Sequence, residues 1–439
     1  MSKGSEFEIR YGEESMTFTL STKFTTEVFQ PRELSPPQNI PMALRASLDE
    51  AIGSKPLEDI FSAGDRLTII TADVTRKVNY PVWLHHLLDE CNRMGVKDSE
   101  ITLVVGIGIH PPHDDEKNMK VFGAEICRRI GEEVCRRVII VNHDSLDSSQ
   151  LTDLGKTTRG TPIRINSLAL RTDHVIVTGA AGYHCFAGFS GGRKGILPGI
   201  SSKETIQNNH KLALKKDGKG REMLADYGRL STNPVHEDMV EVAKRLAPDF
   251  LVNVVTNSRG EIVRFFCGDI IQAHEEACGL VEEMYRQELE EKADLIIASS
   301  GGFPLDICFY QAVKALESTT RALRDGGTLI MVAECQEGYG STEWEEFLQY
   351  QECDVIEDLL RKDFTVGGFI YYDMRMTLKR INVILVSSLS PERVTRMGLN
   401  PAPDLSKALD MAQGFTDPIK TVYVFPQGSM TVPFMISDR

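Results

Sequence analysis

The chain has no CxxC pair: its nine cysteines, Cys91, Cys127, Cys135, Cys185, Cys267, Cys278, Cys308, Cys335 and Cys353, are scattered along 439 residues. Neither a zinc knuckle nor a disulfide framework is indicated, and free buried thiols are expected. No apolar run approaches the roughly 18 residues of a membrane span. The opening residues, MSKGSEFEIR, lack an apolar stretch after the lysine, so a cytoplasmic protein without a membrane partner is expected. Basic residues are also in deficit, with 49 Lys and Arg against 63 Asp and Glu and a formal charge of -14. That balance argues against nucleic acid as a partner, because phosphate backbones reward a basic surface.

Two glycine motifs are missing as well. A phosphate loop needs G-x-x-x-x-G-K-[ST], but counting from Gly188 puts Arg193 at the second glycine and Gly195 at the hydroxyl position. The dinucleotide fingerprint G-x-G-x-x-G finds Gly106 and Gly108 but then Pro111. An ordinary NTPase or Rossmann dehydrogenase is thereby disfavoured.

What the chain does have is an alternation of strand and helix patterns. RLTIITADV (66–74), ITLVVGIGI (101–109), RRVIIVNHD (136–144) and DHVIVTGAA (173–181) read as buried strands, with an amphipathic helix at 80–95. Such alternation means βαβ units. After a charged segment read as one helix over 275–293, DLIIASSGG, TLIMVAE, INVILVSSL and KTVYVFPQG supply a second set of strands, with a glycine-stopped helix, FYQAVKALESTTRALRDGG, among them. The expected fold is α/β, in two domains that each hold a mostly parallel sheet flanked by helices. The expected limits are 1–280 for an N-terminal cofactor-binding and catalytic domain and 281–439 for a Rossmann-like domain that closes on substrate, with the active site in the cleft between them. Ligands bind beyond the carboxyl ends of parallel strands, where ADVTR, GIGIHPPHDD and AAGYHCF all fall, so three candidate loops share one edge.

The third loop runs into YHCFAGFSGGRKGILPGISSKETIQNNH, residues 183–210. Its glycines permit close backbone approach to a ligand, and Arg193 and Lys194 add positive charge. Ser201 and Glu204 have the spacing of a capping box that opens a helix. On that helix Ile206 and His210 are four apart, so a core-directed Ile206 turns His210 inward as well.

Taken together, DVTR (73–76), GIGIH (106–110), YHCFAGFSGGRKGILPG (183–199), ETIQNNH (204–210) and GGFPLDICFYQAVKAL (301–316) resemble the lactate racemase family. That family uses a nickel-pincer nucleotide, in which a pyridinium ring on a ribose phosphate is joined to a lysine and holds nickel through two sulfurs and a ring carbon. The resemblance implies that Lys194 bonds the cofactor and that His210 completes the nickel coordination. It implies His110 and His184 as alternating bases, and Arg76, Tyr310, Gln311 and Lys314 around the substrate. Asp73, Thr75, Gly191, Gly192 and Arg193 are implied as cofactor contacts. The implied function is racemisation or epimerisation of a 2-hydroxy acid by reversible hydride transfer, with cofactor-synthesis and insertion proteins as partners. A cofactor carrier or metal-binding family member without turnover, and a nucleotide-phosphate hydrolase, are the alternatives. Two departures mark the pocket wall. Pro111 and Pro112 stand where many relatives carry an arginine, and Phe369 stands where lactate racemases carry a tryptophan and other relatives a histidine. The substrate expected is therefore lactate or a related α-hydroxy acid. His113, Asp114 and Asp115 are read as a solvated loop in preference to a second metal site.

Overall fold

The computed structural model describes residues 4–73, 78–109 and 132–436. The chain divides into two compact units. One, here the first unit, comprises Glu33–Lys216 and Glu222–Glu283; the second comprises the residues up to Arg32, the short stretch Asp217–Arg221 and everything from Met284 onward.

The first unit is built on a six-stranded sheet in the order Ile262–Gly268, Phe250–Thr256, His174–Ala180, Leu67–Ala72, Ile101–Gly106, Ile139–Asn142. All neighbours run parallel except the first pair, which is antiparallel. The strands read as continuous apolar runs because both faces are covered. On one face Ile69, Leu103, Val105, Ile176 and Val252 share a core with Leu44 and Leu48 of the helix Ile40–Asp49 and with Leu84, Leu87 and Leu88 of the helix Leu84–Arg93. Burying one such leucine contributes about 1.5–3 kcal/mol. The other face receives the glycine turn: a Cβ built on Gly195 would stand 2.6 Å from a Val177 methyl. Because Leu67–Ala72, Ile101–Gly106 and His174–Ala180 are adjacent and parallel, their carboxyl ends do share one edge.

The second unit repeats the plan with a wholly parallel sheet: Asn400–Ala402, Asn382–Val386, Leu323–Val332, Ala293–Ser299, Thr421–Phe425, Thr25–Val28. The expected first domain was 1–280, but the residues up to Arg32 group with the C-terminal part of the chain. The pairing of Thr25–Val28 with Thr421–Phe425 is the physical reason. An N-terminal hairpin, Ser5–Tyr11 with Glu14–Leu20, places Ile9, Phe18 and Leu20 in that unit's core.

Two helices are shorter than their patterns suggest. The charged segment forms a helix only over Gln272–Tyr285, after which Arg286–Leu289 pairs in parallel with Val432–Met435. Tertiary pairing with a buried Leu289 overrides the helical propensity of a Glu-rich run. The helix Phe309–Thr319 stops before its glycines, which lie inside the strand Leu323–Val332. There the hydroxyls of Ser318, Thr319 and Thr320 donate to the carbonyls of Ala315, Ala315 and Leu316 and end the helix from within. All eight cysteines among the described residues are free, and six are buried. Among the described residues no helix is long and apolar enough to cross a membrane.

Candidate active site

The strand His174–Ala180 delivers the chain to a two-residue ribbon, Tyr183–His184 against Gly188–Phe189. Gly188 has φ +77°, and a Cβ there would stand 2.2 Å from the Arg229 carbonyl oxygen, so only glycine fits. The helical turn Gly192–Gly195 follows. Gly192 has φ +53°, and its Cβ would meet the His274 ring at 2.6 Å. Folded this tightly, the turn brings Lys194 Nζ to 3.1 Å from His184 Nε2. The backbone N–H groups of Phe186 and Ala187 face the other ring nitrogen, Nδ1, at 3.5 and 3.4 Å. The Phe186 ring contacts two imidazoles, with centroids 4.6 Å from His184 and 5.1 Å from His210, and Lys194 Nζ is 5.7 Å from its centroid.

His210 ends the helix Lys203–His210 and is buried, as is Ile206 one turn earlier, so the inward face read from the sequence is present. The cap is Ser202, not Ser201: Ser202 Oγ accepts from Thr205 N at 3.1 Å, whereas Ser201 Oγ donates to the Ile196 carbonyl at 2.8 Å. Burial, with the nearby Lys194 charge, pushes the His210 imidazole down to about 3, while the Ile206 carbonyl that accepts from the ring works the other way. The ring is therefore neutral over the physiological range. Its Nδ1 is 3.1 Å from Asn209 Oδ1, and Asn209 Nδ2 donates to the Val235 carbonyl and to Asp238 Oδ2, both at 3.0 Å.

Arg193 was expected to lend its charge to a ligand, but it is only 1% exposed. Its guanidinium donates to the carbonyls of Ala187 and Gly191 at 2.7 and 3.3 Å and to His274 Nε2 at 2.9 Å. Burial lowers its pKa to about 10. Arg193 thus fastens the turn that carries Lys194 to the helix Gln272–Tyr285. Asn233 does the same from another side. It caps the helix Pro234–Leu246 through Oδ1 and donates from Nδ2 to the Phe186 carbonyl at 3.0 Å.

His184, Gly191, Gly192, Arg193, Lys194 and His210 therefore gather in one place. Asp73 is buried at the carboxyl end of Leu67–Ala72. Thr75, Arg76 and His110 lie outside the described residues, as do Pro111, Pro112 and the run His113 to Asp115. Tyr310, Gln311 and Lys314 belong to the second unit, on the helix Phe309–Thr319, where the exposed Lys314 donates to Gln311 Oε1 at 2.7 Å. Phe369 is buried in the helix Val366–Leu378, 5.6 Å from the Phe364 ring. Sequence reasoning missed Asn209, Asp238, Asn233 and His274. The Asn-Asn-His run and the Asn-Pro helix start were the signals for Asn209 and Asn233; nothing local marked the other two.

The arrangement thus brings together one primary amine, Lys194, and two imidazoles, His184 and His210, groups whose chemistry suits covalent attachment and metal ligation. Comparison with known proteins identifies the family. The lactate racemase N-terminal domain profile matches residues 11–221, and the lactate racemase C-terminal domain profile matches residues 289–432. A lactate racemase from Thermoanaerobacterium thermosaccharolyticum is 30% identical over 434 residues, covering 97% of this chain and 98% of that protein. One from Lactiplantibacillus plantarum is 32% identical over 390 residues, covering 87% and 88%. The solved lactate racemase apoprotein from T. thermosaccharolyticum superposes with a TM-score of 0.85, covering 98% of this chain and 100% of that chain at 30% identity. A solved protein from Thermotoga maritima, 15% identical with a TM-score of 0.65, covers 92% of this chain and 100% of its own and shares the fold. The chain belongs to the lactate racemase family of isomerases.

Proposed function

We propose that the protein racemises or epimerises lactate or a related 2-hydroxy acid, using a nickel-pincer nucleotide bonded to Lys194. The observation that most supports this reading is the 3.1 Å approach of Lys194 Nζ to His184 Nε2, with neutral His210 packed against the same Phe186 ring as His184. A carrier needs the anchoring lysine and the metal ligand, but not a further imidazole at the anchor.

The residues present fit such a group. Lys194 supplies an amine at the end of a rigid turn, and His210 supplies one unprotonated imidazole. Among the described residues no cluster of three or more His, Cys, Asp or Glu side chains is placed to hold a metal. A metal at His210 would thus draw its other donors from the cofactor itself, as a pincer allows. Asp73, Gly191 and Gly192 would contact the group, and Arg193 keeps the turn closed. When bound, the cofactor supplies the hydride acceptor that no side chain provides.

The chain's own part is proton handling and orientation. Once bonded, Lys194 no longer carries an ammonium beside His184, whose ring is then able to take the substrate hydroxyl proton; imidazole has the ordinary pKa for that task. His110 takes the same role toward the other enantiomer, because the two hydroxyls point differently. Arg76 and Lys314 hold the carboxylate, with Tyr310 and Gln311 beside them. Partners of the protein are then the acid itself and the proteins that make and insert the cofactor.

The test is intact and peptide mass of protein produced with and without the cofactor-synthesis proteins, with chiral analysis of a panel of 2-hydroxy acids. A gain of mass on the Lys194 peptide, together with racemisation of at least one acid, is expected. No gain and no turnover across the panel would sink the proposal.

A further inference from the structure

Beside His210 runs a buried chain of hydrogen bonds that the reaction does not itself require. Thr161 N donates to Thr157 Oγ1 at 3.1 Å, and Thr157 Oγ1 donates to Asp238 Oδ1 at 2.5 Å. From the other side, Asn209 Nδ2 donates to Asp238 Oδ2, and Asn209 Oδ1 faces His210 Nδ1. Asn209 and Asp238 are both wholly buried.

The direction of every bond in this chain follows from chemistry. An amide oxygen and nitrogen look alike, so an asparagine's orientation has to be read from its partners. Here the Val235 carbonyl decides it. A backbone carbonyl only accepts, so the Asn209 atom 3.0 Å from it is the nitrogen. The atom facing His210 is then the oxygen, which also only accepts. The 3.1 Å approach of that oxygen to His210 Nδ1 is a hydrogen bond when Nδ1 carries the ring proton, and in a neutral ring that leaves Nε2 unprotonated.

We propose that Asn209 and Asp238 are positioning residues that hold His210 in its Nδ1–H tautomer, so that Nε2 is the nitrogen presented to a metal. A metal-binding imidazole commonly gives its other N–H to a carbonyl or carboxylate, which fixes the ring and raises its basicity. In this chain the amide of Asn209 stands between imidazole and carboxylate. The Asp238 charge thereby polarises the ring N–H without a direct ion pair that would favour a protonated imidazole. The proposal rests on the reading of His210 as the metal-contacting histidine.

The experiment has two readouts. In protein labelled with ¹⁵N-histidine and free of cofactor, long-range ¹H–¹⁵N correlation identifies the tautomer, with His210 assigned by the signal lost in His210→Gln. In cofactor-loaded protein, nickel retention is followed during dialysis against a chelator. The parent is expected to show a protonated Nδ1 and a bare Nε2. Asn209→Leu removes the acceptor and is expected to shift the tautomer and to release nickel about 10–100-fold faster. Asp238→Asn, matched in size, is expected to move both readouts the same way by less, and it keeps the test alive if Asn209→Leu does not fold. A parent ring protonated at Nε2 overturns the proposal. So does parental behaviour of both readouts in both variants. If His210→Gln holds nickel like the parent, the metal reading of His210 falls and the proposal with it, and the tautomer measurement tells that failure from the first.

Discussion

The two units are built alike, each on a six-stranded, mostly parallel sheet, yet all ten histidines of the chain fall between residues 85 and 274, within the first. The second unit has none. A shared architecture therefore does not decide where the imidazoles, the side chains suited to acid–base work and metal binding, are placed. The units also differ in what their buried polar groups do. In the first, Arg193, Asn209, Asn233 and Asp238 converge on the turn and helix that carry Lys194 and His210. In the second, the buried Glu357 accepts from Tyr372 at 2.8 Å and Arg361 at 2.6 Å, and from Gly220 N at 2.9 Å, and so fastens the stretch Asp217–Arg221. One network holds the turn and helix that carry Lys194 and His210, and the other closes a fold.

The largest effect expected from this division is on turnover. In the proposed reaction His184→Ala removes a base from the first unit, and loss of a positioned base costs about 10²–10⁴-fold in rate. Chiral analysis of a loaded preparation, matched to the parent in nickel and in mass at Lys194, measures it. Near-parental turnover would take His184 out of the mechanism and remove the strongest support for locating proton transfer in this unit.

Acid should separate the two units next. Burial pushes the His210 and His236 imidazoles down to about 3, and it lowers those of His143 and His274. These rings stay neutral in the fold and gain a proton when unfolded, near the ordinary value of about 6.5. The unfolded chain thus binds more protons below that value, so stability is intact above about 6.5 and falls as pH drops toward about 3. The slope approaches about 1.4 kcal/mol per pH unit for each such ring. The chain has two tryptophans, and the units hold one each, both buried: Trp83 in the first and Trp344 in the second. In Trp344→Phe and Trp83→Phe variants, urea midpoints at pH 7, 6 and 5 should fall more steeply when Trp83 reports than when Trp344 does. Parallel slopes would break the comparison.

Much of this division was legible in the sequence, because long apolar runs and the Ile206–His210 spacing report burial directly. The central strands fell where their hydrophobic runs placed them, and the inward face of His210 followed from helical geometry. What was not legible depends on contacts far along the chain. Ser201 and Ser202 are equivalent as letters, but the Ile196 carbonyl engages Ser201 and leaves Ser202 to cap the helix. Arg193 reads as a charge offered to a ligand, yet three acceptors folded back around it draw it inside. Asp238 carries no local sign of its tie to Asn209, 29 residues away.

A smaller effect is expected in the second unit. In the proposed reaction Lys314 helps to hold the carboxylate and moves no proton, so Lys314→Ala should raise KM by about tenfold and change kcat much less. A charge-assisted hydrogen bond on an exposed site is worth about that much. A loss confined to kcat would mean that the histidine-free unit also takes part in the chemical step.

The smallest effect concerns how independently the units hold together. Ser202→Ala removes the Oγ that accepts from Thr205 N, leaving one helix N-terminal N–H without its cap, a change that typically costs about 1 kcal/mol. The helix it caps is only eight residues long and carries His210 in its last turn, so the loss should be felt first around His210 in the first unit. Urea unfolding reported by Trp83 should shift to slightly lower denaturant, while the transition reported by Trp344 stays where it is. Nickel retention in the loaded protein should fall less than in Asn209→Leu, because the bond from Nδ1 to Asn209 is left in place. If both tryptophans report the same shift, the two units unfold as one cooperative body, and the contrast between them is one of chemistry and not of stability.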